Sequence, residues 1–448
     1  MRSVFIAGVC IQALMLSACS GGGGGGGDAA PPGGSSPPPQ TPPRIVEKVT
    51  GLNFGPYLDG QSPNQGIVIS ESQLTARMQV VAPMTNSVRT YSMTHGLENA
   101  GRVARNLGVG ITVGAFFSRD AAQNEREKNG LITAALAGDT GDVVIAGSEV
   151  LERADLSEDA LISQIRDVRQ TLPARIQLGY ADTAYQLLAH PDVVDEVDVA
   201  FANIYPYFDG VPIEQSMRHF DFIFTRLQAA VHPKKVVVSE TGWPTAGAQR
   251  GGAIPSATNA ANYFDSFVSW ARTKQVEYFY FEAFNEAWKT DEGSQGPHWG
   301  VLDSSGNMKT GMNAGFDGTN AADTWSRQIP GGAGPAQLQF TSMPVLGSTE
   351  DLRGQVTGVD PALYRVAIYI QAEGLWYPKP SYTSPTIYPG IDGTWSADIT
   401  TGNGDEAATR IAGFVLPVAY RVPIVEEGSP AIPAEVEATA VASRKVER

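Results

Sequence analysis

Lys235-Val236-Val237-Val238-Ser239-Glu240-Thr241-Gly242-Trp243-Pro244 is a short apolar, β-branched run that ends in a glutamate, with a glycine turn, an indole and a proline directly behind it. Such a run reads as a strand buried on both faces. A carboxylate at the C-terminal end of a buried parallel strand is where a (β/α)8 barrel presents its reacting groups. Outward from this stretch the same unit repeats. Strand-like segments are read at 52–57, 87–92, 109–117, 142–150, 175–180, 197–205, 234–240 and 276–284. Helical segments separate them. Ser70 and Gln73 have the spacing of a capping box opening a helix over 70–81, and Ser157 with Glu158 and Asp159 caps another running to Gln170. Further helices are read at 97–107, 121–137, after the fifth strand to Leu188, and at 214–229. The helix at 258–271 has Ala260, Phe264, Phe267 and Ala271 on one face. Eight strands alternating with helices predict a (β/α)8 TIM barrel, which takes about 250 residues. The competing arrangement, an open doubly wound sheet, would want a glycine-rich nucleotide turn after its first strand, and Phe54-Gly55-Pro56-Tyr57 is not one.

The flanks of the barrel differ in composition. Arg2, the apolar Val4–Leu16 and then Leu16-Ser17-Ala18-Cys19 resemble a bacterial lipoprotein signal, with cleavage before Cys19 and lipid on its sulfur. Ser20 following the cysteine favours the outer membrane. Residues 1–18 are thus expected to be a signal peptide and 19–43 a Gly/Pro/Ser-rich tether. As coil such a tether reaches roughly 25–30 Å. The barrel is assigned to 44–312, a Gly/Ala-rich linker to 313–336, a small all-β sandwich-like domain to 337–424, and a disordered acidic tail to 425–448. The two cysteines, Cys10 and Cys19, both belong to the leader, so the folded part holds no disulfide and no thiolate metal site. A net charge of −15 repels phosphate backbones and argues against a nucleic-acid partner. The expected molecule is a monomer of the cell envelope, lipid-anchored, without cofactor or metal.

The chemistry is carried by the strand ends, which converge on one face of a barrel. Strand four ends in Gly147-Ser148-Glu149 and strand seven in Ser239-Glu240. Strand eight ends in Glu282-Ala283-Phe284-Asn285-Glu286, strand six in Asn203-Ile204-Tyr205-Pro206-Tyr207 and strand two in Arg89-Thr90-Tyr91. Carboxylates ringed by tyrosine and tryptophan suit glycoside hydrolysis. That reaction needs one protonated carboxyl for the leaving oxygen and one ionised carboxylate for the anomeric carbon. Trp243, Trp288 and Trp299 are candidate platforms for flat sugar faces, each with loop packing as the alternative. Tyr91, Asn203 and Tyr205 are candidate substrate contacts. Glu282 is either a substrate contact or an ion-pair partner of a strand-end arginine such as Arg89. No histidine has metal-ligand spacing. Trp376-Tyr377 and Trp395 could form a sugar-binding face on the second domain, with core packing the better account of Trp395.

Val238-Ser239-Glu240-Thr241-Gly242-Trp243-Pro244 resembles the nucleophile signature of glycoside hydrolase family 17, the β-1,3-glucanases and β-1,3-glucanosyltransferases. Asn53-Phe54-Gly55-Pro56-Tyr57, Tyr205-Pro206-Tyr207, Phe284-Asn285-Glu286 and His298-Trp299-Gly300 extend the resemblance over 51–312. It implies a retaining enzyme with Glu240 as nucleophile, Glu149 as acid/base, and Glu286 and Lys289 supporting the site. One departure is visible. The family has asparagine directly before its acid/base, where this chain has Ser148. That asparagine is expected to bond the sugar 2-hydroxyl, so Ser148 puts the strength of the activity in question. Three readings follow: a β-1,3-glucan hydrolase or transglycosylase, a surface glucan-binding protein with a weakened or lost activity, and a glycosidase of another linkage on the same barrel.

Overall fold

The computed structural model describes residues 45–326, 334–381, 385–402, 404–423, 425 and 428–448. The signal-like segment 1–18, Cys19 and the tether lie outside the described residues.

Seven strands, β1 (Val49–Asn53), β2 (Thr85–Arg89), β3 (Gly110–Ala115), β4 (Val143–Ser148), β5 (Gln177–Thr183), β6 (Val199–Asn203) and β7 (Lys235–Glu240), pair in parallel in chain order. Between and after them come α1 (Glu71–Val81), α2 (Ala100–Asn106), α3 (Ala121–Ala137), α4 (Glu158–Thr171), α5 (Ala184–Ala189), α6 (Pro191–Asp195), α7 (Ile213–Val231) and α8 (Ala257–Lys274). The interior of the ring is packed by Ile145, Ala181, Val199, Phe201, Val237 and Phe279, so the barrel is a filled core and the chemistry is confined to its rim. On α8 the predicted stripe Ala260, Phe264, Phe267 and Ala271 is buried.

The eighth segment differs from the regular strand expected at 276–284. It meets both neighbours only through isolated bridges, Val238 with Tyr278 and Leu52 with Tyr280. The hydrogen bonds are still enough to close the ring: Phe279 N to Val238 O at 2.8 Å, Tyr280 N to Gly51 O at 3.0 Å and Asn53 N to Tyr280 O at 2.9 Å. Side chains and turns stand in for the rest of the ladder. Asn53 Nδ2 donates to Ser239 O (2.9 Å) and Phe279 O (3.1 Å), joining β1, β7 and the eighth segment. The turn behind Glu240 lies directly on the same segment, because a Cβ on Gly242 would come within 2.3 Å of Phe281 O.

Other boundaries also shift. The first strand starts at Val49 and ends at Asn53, so Phe54–Tyr57 forms the loop above it. Half of the capping box forms: Ser70 Oγ accepts from Gln73 N at 3.2 Å, but the Gln73 amide donates to Pro56 O at 2.9 Å. The helix read at 97–107 starts as a 3-10 turn, Leu97–Asn99.

Past the barrel, the first part of the stretch read as a linker, 313–326, packs back on it. Arg272 Nη1 donates to Thr319 O at 2.8 Å, and Trp325 is buried in the barrel core. Then come β8 (Gln337–Ser342), β9 (Leu352–Thr357), β10 (Tyr364–Ala372), β11 (Leu375–Lys379), β12 (Thr386–Ile387), β13 (Thr394–Ala397) and β14 (Arg410–Pro417), followed by α9 (Ala434–Thr439) and β15 (Ala442–Glu447). They form two antiparallel sheets, β13-β9-β8 and β11-β10-β14-β15, with β12 also on β10. Leu352, Val356, Val366, Ile368, Ile370, Trp395, Ile411 and Val415 make one core from both sheets. The alternate residues of the same two central strands, Ala367, Tyr369, Ala412, Phe414 and Leu416, make a second core with Ile432 and Val436. The tail expected to be disordered is therefore structured where described. It covers the back of β10 and β14 with α9 and extends the sheet through β15. The physical reason is the period of two: β10 and β14 are apolar on both faces, and the second face needs a cover.

Asn53→Ala is expected to lower stability by about 2–4 kcal/mol, since it leaves the buried Phe279 carbonyl unmatched and takes one acceptor from the buried Arg89 guanidinium. Urea unfolding followed by tryptophan fluorescence measures this, and an unchanged midpoint would show that the seam closes without the amide.

Candidate active site

At the C-terminal end of the strands the buried Arg89 guanidinium, from the end of β2, is the common partner. Its Nη1 donates to Glu240 Oε1 at 2.7 Å, to Ser239 O at 3.1 Å and to Asn53 Oδ1 at 3.3 Å, and its Nη2 donates to Ser148 Oγ at 2.9 Å. One cation thus ties β1, β2, β4 and β7 together at the rim. Glu240 receives a second donor, Tyr205 OH, on Oε2 at 2.9 Å. The nucleophile candidate is buried, with both oxygens held and the nearest charge opposite in sign.

Glu149 stands in a different setting. β4 is bulged between Ile145 and Ser148. Gly147 (φ 96°) and Glu149 (φ 52°) both take the left-handed region. A bulge re-aims the side chain that follows it. The Glu149 backbone N–H donates to Ala181 O at 2.8 Å, which ties the turn to β5. Its carboxyl accepts from Asn203 Nδ2 at 2.7 Å. That amide is oriented from behind, because Ser239 Oγ donates to Asn203 Oδ1 at 2.5 Å. Burial, then the charge of Glu240, then that of Asp182 push the Glu149 carboxyl up to about 8, against the Asn203 hydrogen bond and the Arg153 guanidinium. The neighbours of Glu149 thereby give it the raised proton affinity that an acid role requires. Asp182, beneath Glu149 on β5, is itself raised to about 7 by burial, which outweighs hydrogen bonds from Tyr180, Thr183 N and Leu151 N.

A third group lies on the barrel-closing side. Lys289 Nζ bridges Glu282 Oε2 (2.5 Å) and Glu286 Oε2 (2.9 Å), and all three side chains are buried. Glu282 therefore pairs with Lys289, and not with Arg89 as the sequence alone allowed. Burial holds the Glu282 carboxyl well above its ordinary range, against the Lys289 charge. Glu286 also fills the space above Gly55, where a Cβ would lie 2.0 Å from its Oε1.

The structure brings Glu149, Glu240, Asn203, Tyr205, Tyr91, Glu282, Glu286 and Lys289 to one rim. Tyr91 lies under the Arg89 guanidinium, 4.6 Å from carbon to ring centroid, and burial followed by Glu240 raises its phenol. Two of the three tryptophans do not serve as open platforms. Trp243 is fully buried, donates to Ile254 O at 3.0 Å and packs against Tyr207 and Tyr263. Trp299 is also buried, inside a cluster of Tyr205, Tyr207, Phe208 and Phe281. Trp288 is half-buried with its edge to Tyr57 at 6.0 Å. The exposed ring is Phe208, at 39% exposure, packed on Tyr205 and Trp299. Sequence reading missed Phe208, although it directly follows Tyr205-Pro206-Tyr207. It also missed Ser239 as the group that orients Asn203 and Ser148 as an acceptor for Arg89. On the second domain, Trp395 is core, edge-on to Phe340, while Trp376 pairs through its backbone with Ser429.

Residues 51–300 match the family described as the BtgE/BtgC glycoside hydrolase domain. The chain is 30% identical over 259 residues to the glucan 1,3-beta-glucosidase of Schizosaccharomyces pombe, covering 53% of this chain and 79% of that protein. It is 29% identical over 282 residues to the glucan 1,3-beta-glucosidase of Saccharomyces cerevisiae, covering 57% and 90% respectively. Among solved structures, the glycoside hydrolase family 17 β-1,3-glucanosyltransferase of Rhizomucor miehei aligns with a TM-score of 0.53 and 28% identity, covering 59% of this chain and 96% of that one. An active-site mutant of that enzyme has been solved with laminaritriose.

Lys289→Met leaves Glu282 and Glu286 facing each other without a cation. The expected loss is about 3–5 kcal/mol at pH 8. Part of it returns on acidification, because the folded pair then binds a proton that the unfolded carboxylates release. Thermal melts at pH 5.5 and pH 8 measure this, and equal losses at the two pH values would show that the lysine acts by packing alone.

Proposed function

The chain belongs to the BtgE/BtgC glycoside hydrolase domain family, and we propose that it acts on β-1,3-glucan by retaining double displacement through Glu240 and Glu149. The observation that carries this is the pairing of a buried carboxylate held by Arg89 and Tyr205 with a second carboxyl raised to about 8. In the first step the Glu240 carboxylate forms a bond to the anomeric carbon while the glycosidic bond breaks, and Glu149 gives its proton to the departing oxygen. In the second, Glu149 takes a proton from the acceptor hydroxyl as that oxygen displaces Glu240. Water as acceptor gives hydrolysis, and a glucan hydroxyl gives transfer. Both names occur among the relatives, the yeast proteins being glucosidases and the Rhizomucor protein a glucanosyltransferase. Tyr91, Trp288, Glu286 and the exposed face of Phe208 are the groups proposed to line the sugar site. The Tyr91 hydroxyl and the Trp288 indole N–H have no hydrogen-bond partner among the described residues, and sugar hydroxyls can supply one. Ser148 holds Arg89 in place, which favours an active enzyme over a glucan-binding relic.

Glu240→Gln keeps an acceptor for Arg89 and is expected to abolish sugar release from laminarin-type glucan in a chain that still folds. In the wild type, kcat/KM should fall as pH rises through about 8, as Glu149 loses its proton. Full activity in the glutamine variant, or a rate still climbing at pH 9, would overturn the assignment.

For the leader we propose lipid attachment at Cys19 after removal of 1–18, with the tether holding a monomeric enzyme at the bacterial envelope, in the outer membrane. The support is the Leu16-Ser17-Ala18-Cys19 sequence with Ser20 behind it. Cys19→Ala should abolish labelling by radioactive palmitate and move the protein out of the membrane fraction. Labelling that persists would exclude this site.

A further inference from the structure

Glu149 heads a loop that the C-terminal domain grips. From inside the barrel, Leu151 N donates to Asp182 Oδ2 at 3.1 Å, and Arg153 Nη1 donates to Ser148 O at 2.6 Å. From outside, Arg421 Nη2 donates to the carbonyl oxygens of both Leu151 and Glu152. Arg421 Nη1 and Arg365 Nη2 each lie 3.7 Å from an oxygen of the Glu152 carboxylate. That carboxylate also accepts from Gln186 Nε2 at 2.9 Å and Thr183 Oγ1 at 3.2 Å. Against burial, the two arginines hold Glu152 below its ordinary range. The contact is rigid at its centre. Tyr388 of the β-domain stacks on Tyr185 of the barrel at 4.2 Å, Arg365 lies over the Tyr388 ring at 4.5 Å, and Ala362, Ile391 and Val418 are buried within the barrel's own core cluster.

A glutamate at φ 52° is strained, and such a conformation persists only where its surroundings over-determine it. The turn two and three residues further on is held from within by Ala154 N, which donates to Leu151 O at 2.9 Å, and from outside by Arg421, which also reaches Leu151 O and supplies a donor to the Glu152 carbonyl. We propose that the C-terminal β-domain is a positioning element for the acid/base: Arg421, with Arg365 behind it, fixes the 151–152 peptides and so aims Glu149 at the glycosidic oxygen. This rests on the reading of Glu149 as the acid/base.

The test uses the full chain and two substrates. A laminari-oligosaccharide leaves as an alcohol and needs a proton, whereas a 2,4-dinitrophenyl β-laminaribioside leaves as a stable phenolate and does not. For both, kcat/KM reports the first displacement. Glu149→Gln is the reference and should lose about 100-fold or more on the oligosaccharide while keeping most of its rate on the dinitrophenyl glycoside. Arg421→Ala should show the same selectivity at smaller size, about tenfold on the first substrate and about twofold or less on the second. Arg421→Lys, which keeps the charge but loses the planar fork, should show a smaller loss of the same kind and serves if the alanine variant does not fold. Equal losses on the two substrates, or no loss on either, would overturn the positioning role. A Glu149→Gln enzyme that keeps its oligosaccharide rate would instead overturn the acid/base reading.

Discussion

A single buried cation organises the rim of this barrel. Arg89 is almost completely excluded from solvent, and a charge in that position is tolerable only where it is paired and hydrogen-bonded. Its partners come from three other strands: Asn53, Ser148, and Ser239 with Glu240. The same bonds that neutralise the guanidinium place the Glu240 carboxylate and hold β4 against β7. Stability and site geometry are one constraint here, because any movement of β4 relative to β7 would strip Arg89 of a partner.

The second consequence is electrostatic inequality. Arg89 and Tyr205 both donate to Glu240, whereas Glu149 has one amide donor and two carboxylates in its surroundings. The proton affinity of Glu149 is thus set by its neighbours and not by its residue type. Lys289 repeats the logic on the barrel-closing side, one cation shared between Glu282 and Glu286. Each wall of the site carries its own counter-charge, so the carboxylates do not simply repel one another apart.

Much of this was legible in the chain. Val236-Val237-Val238 followed by Glu240 states both a buried strand and what stands at its end, and the strand-end residues together pointed to two carboxyls among aromatic rings. What was not legible required distances across the ring. Ser148 and Arg89 are 59 positions apart, and nothing local to Gly147-Ser148-Glu149 reveals the guanidinium that uses the hydroxyl. Trp243 was misread because a residue type beside a strand end does not say on which side of the turn its ring falls. Its N–H is taken by Ile254 O, eleven residues on, and the ring goes into the core. Composition misled at the tail, where proline, alanine and glutamate suggested disorder. The evidence for a cover lay elsewhere, in the unbroken apolar runs of β10 and β14.

The grip on the loop after Glu149 has a consequence for the order in which the molecule is built. The contact from Arg421 to Leu151 O spans 270 residues of chain, against 151 for Arg89 to Glu240 and 226 for the Asn53 amide to Phe279 O. Long closures lose chain entropy before any contact repays it, and domains form in the order they leave the ribosome. Everything that closes the ring is synthesised before Arg421. The seat of Glu149 is therefore the last part of the site to be completed during biosynthesis, and the barrel spends that interval with its reacting groups assembled and its proton donor still loosely held.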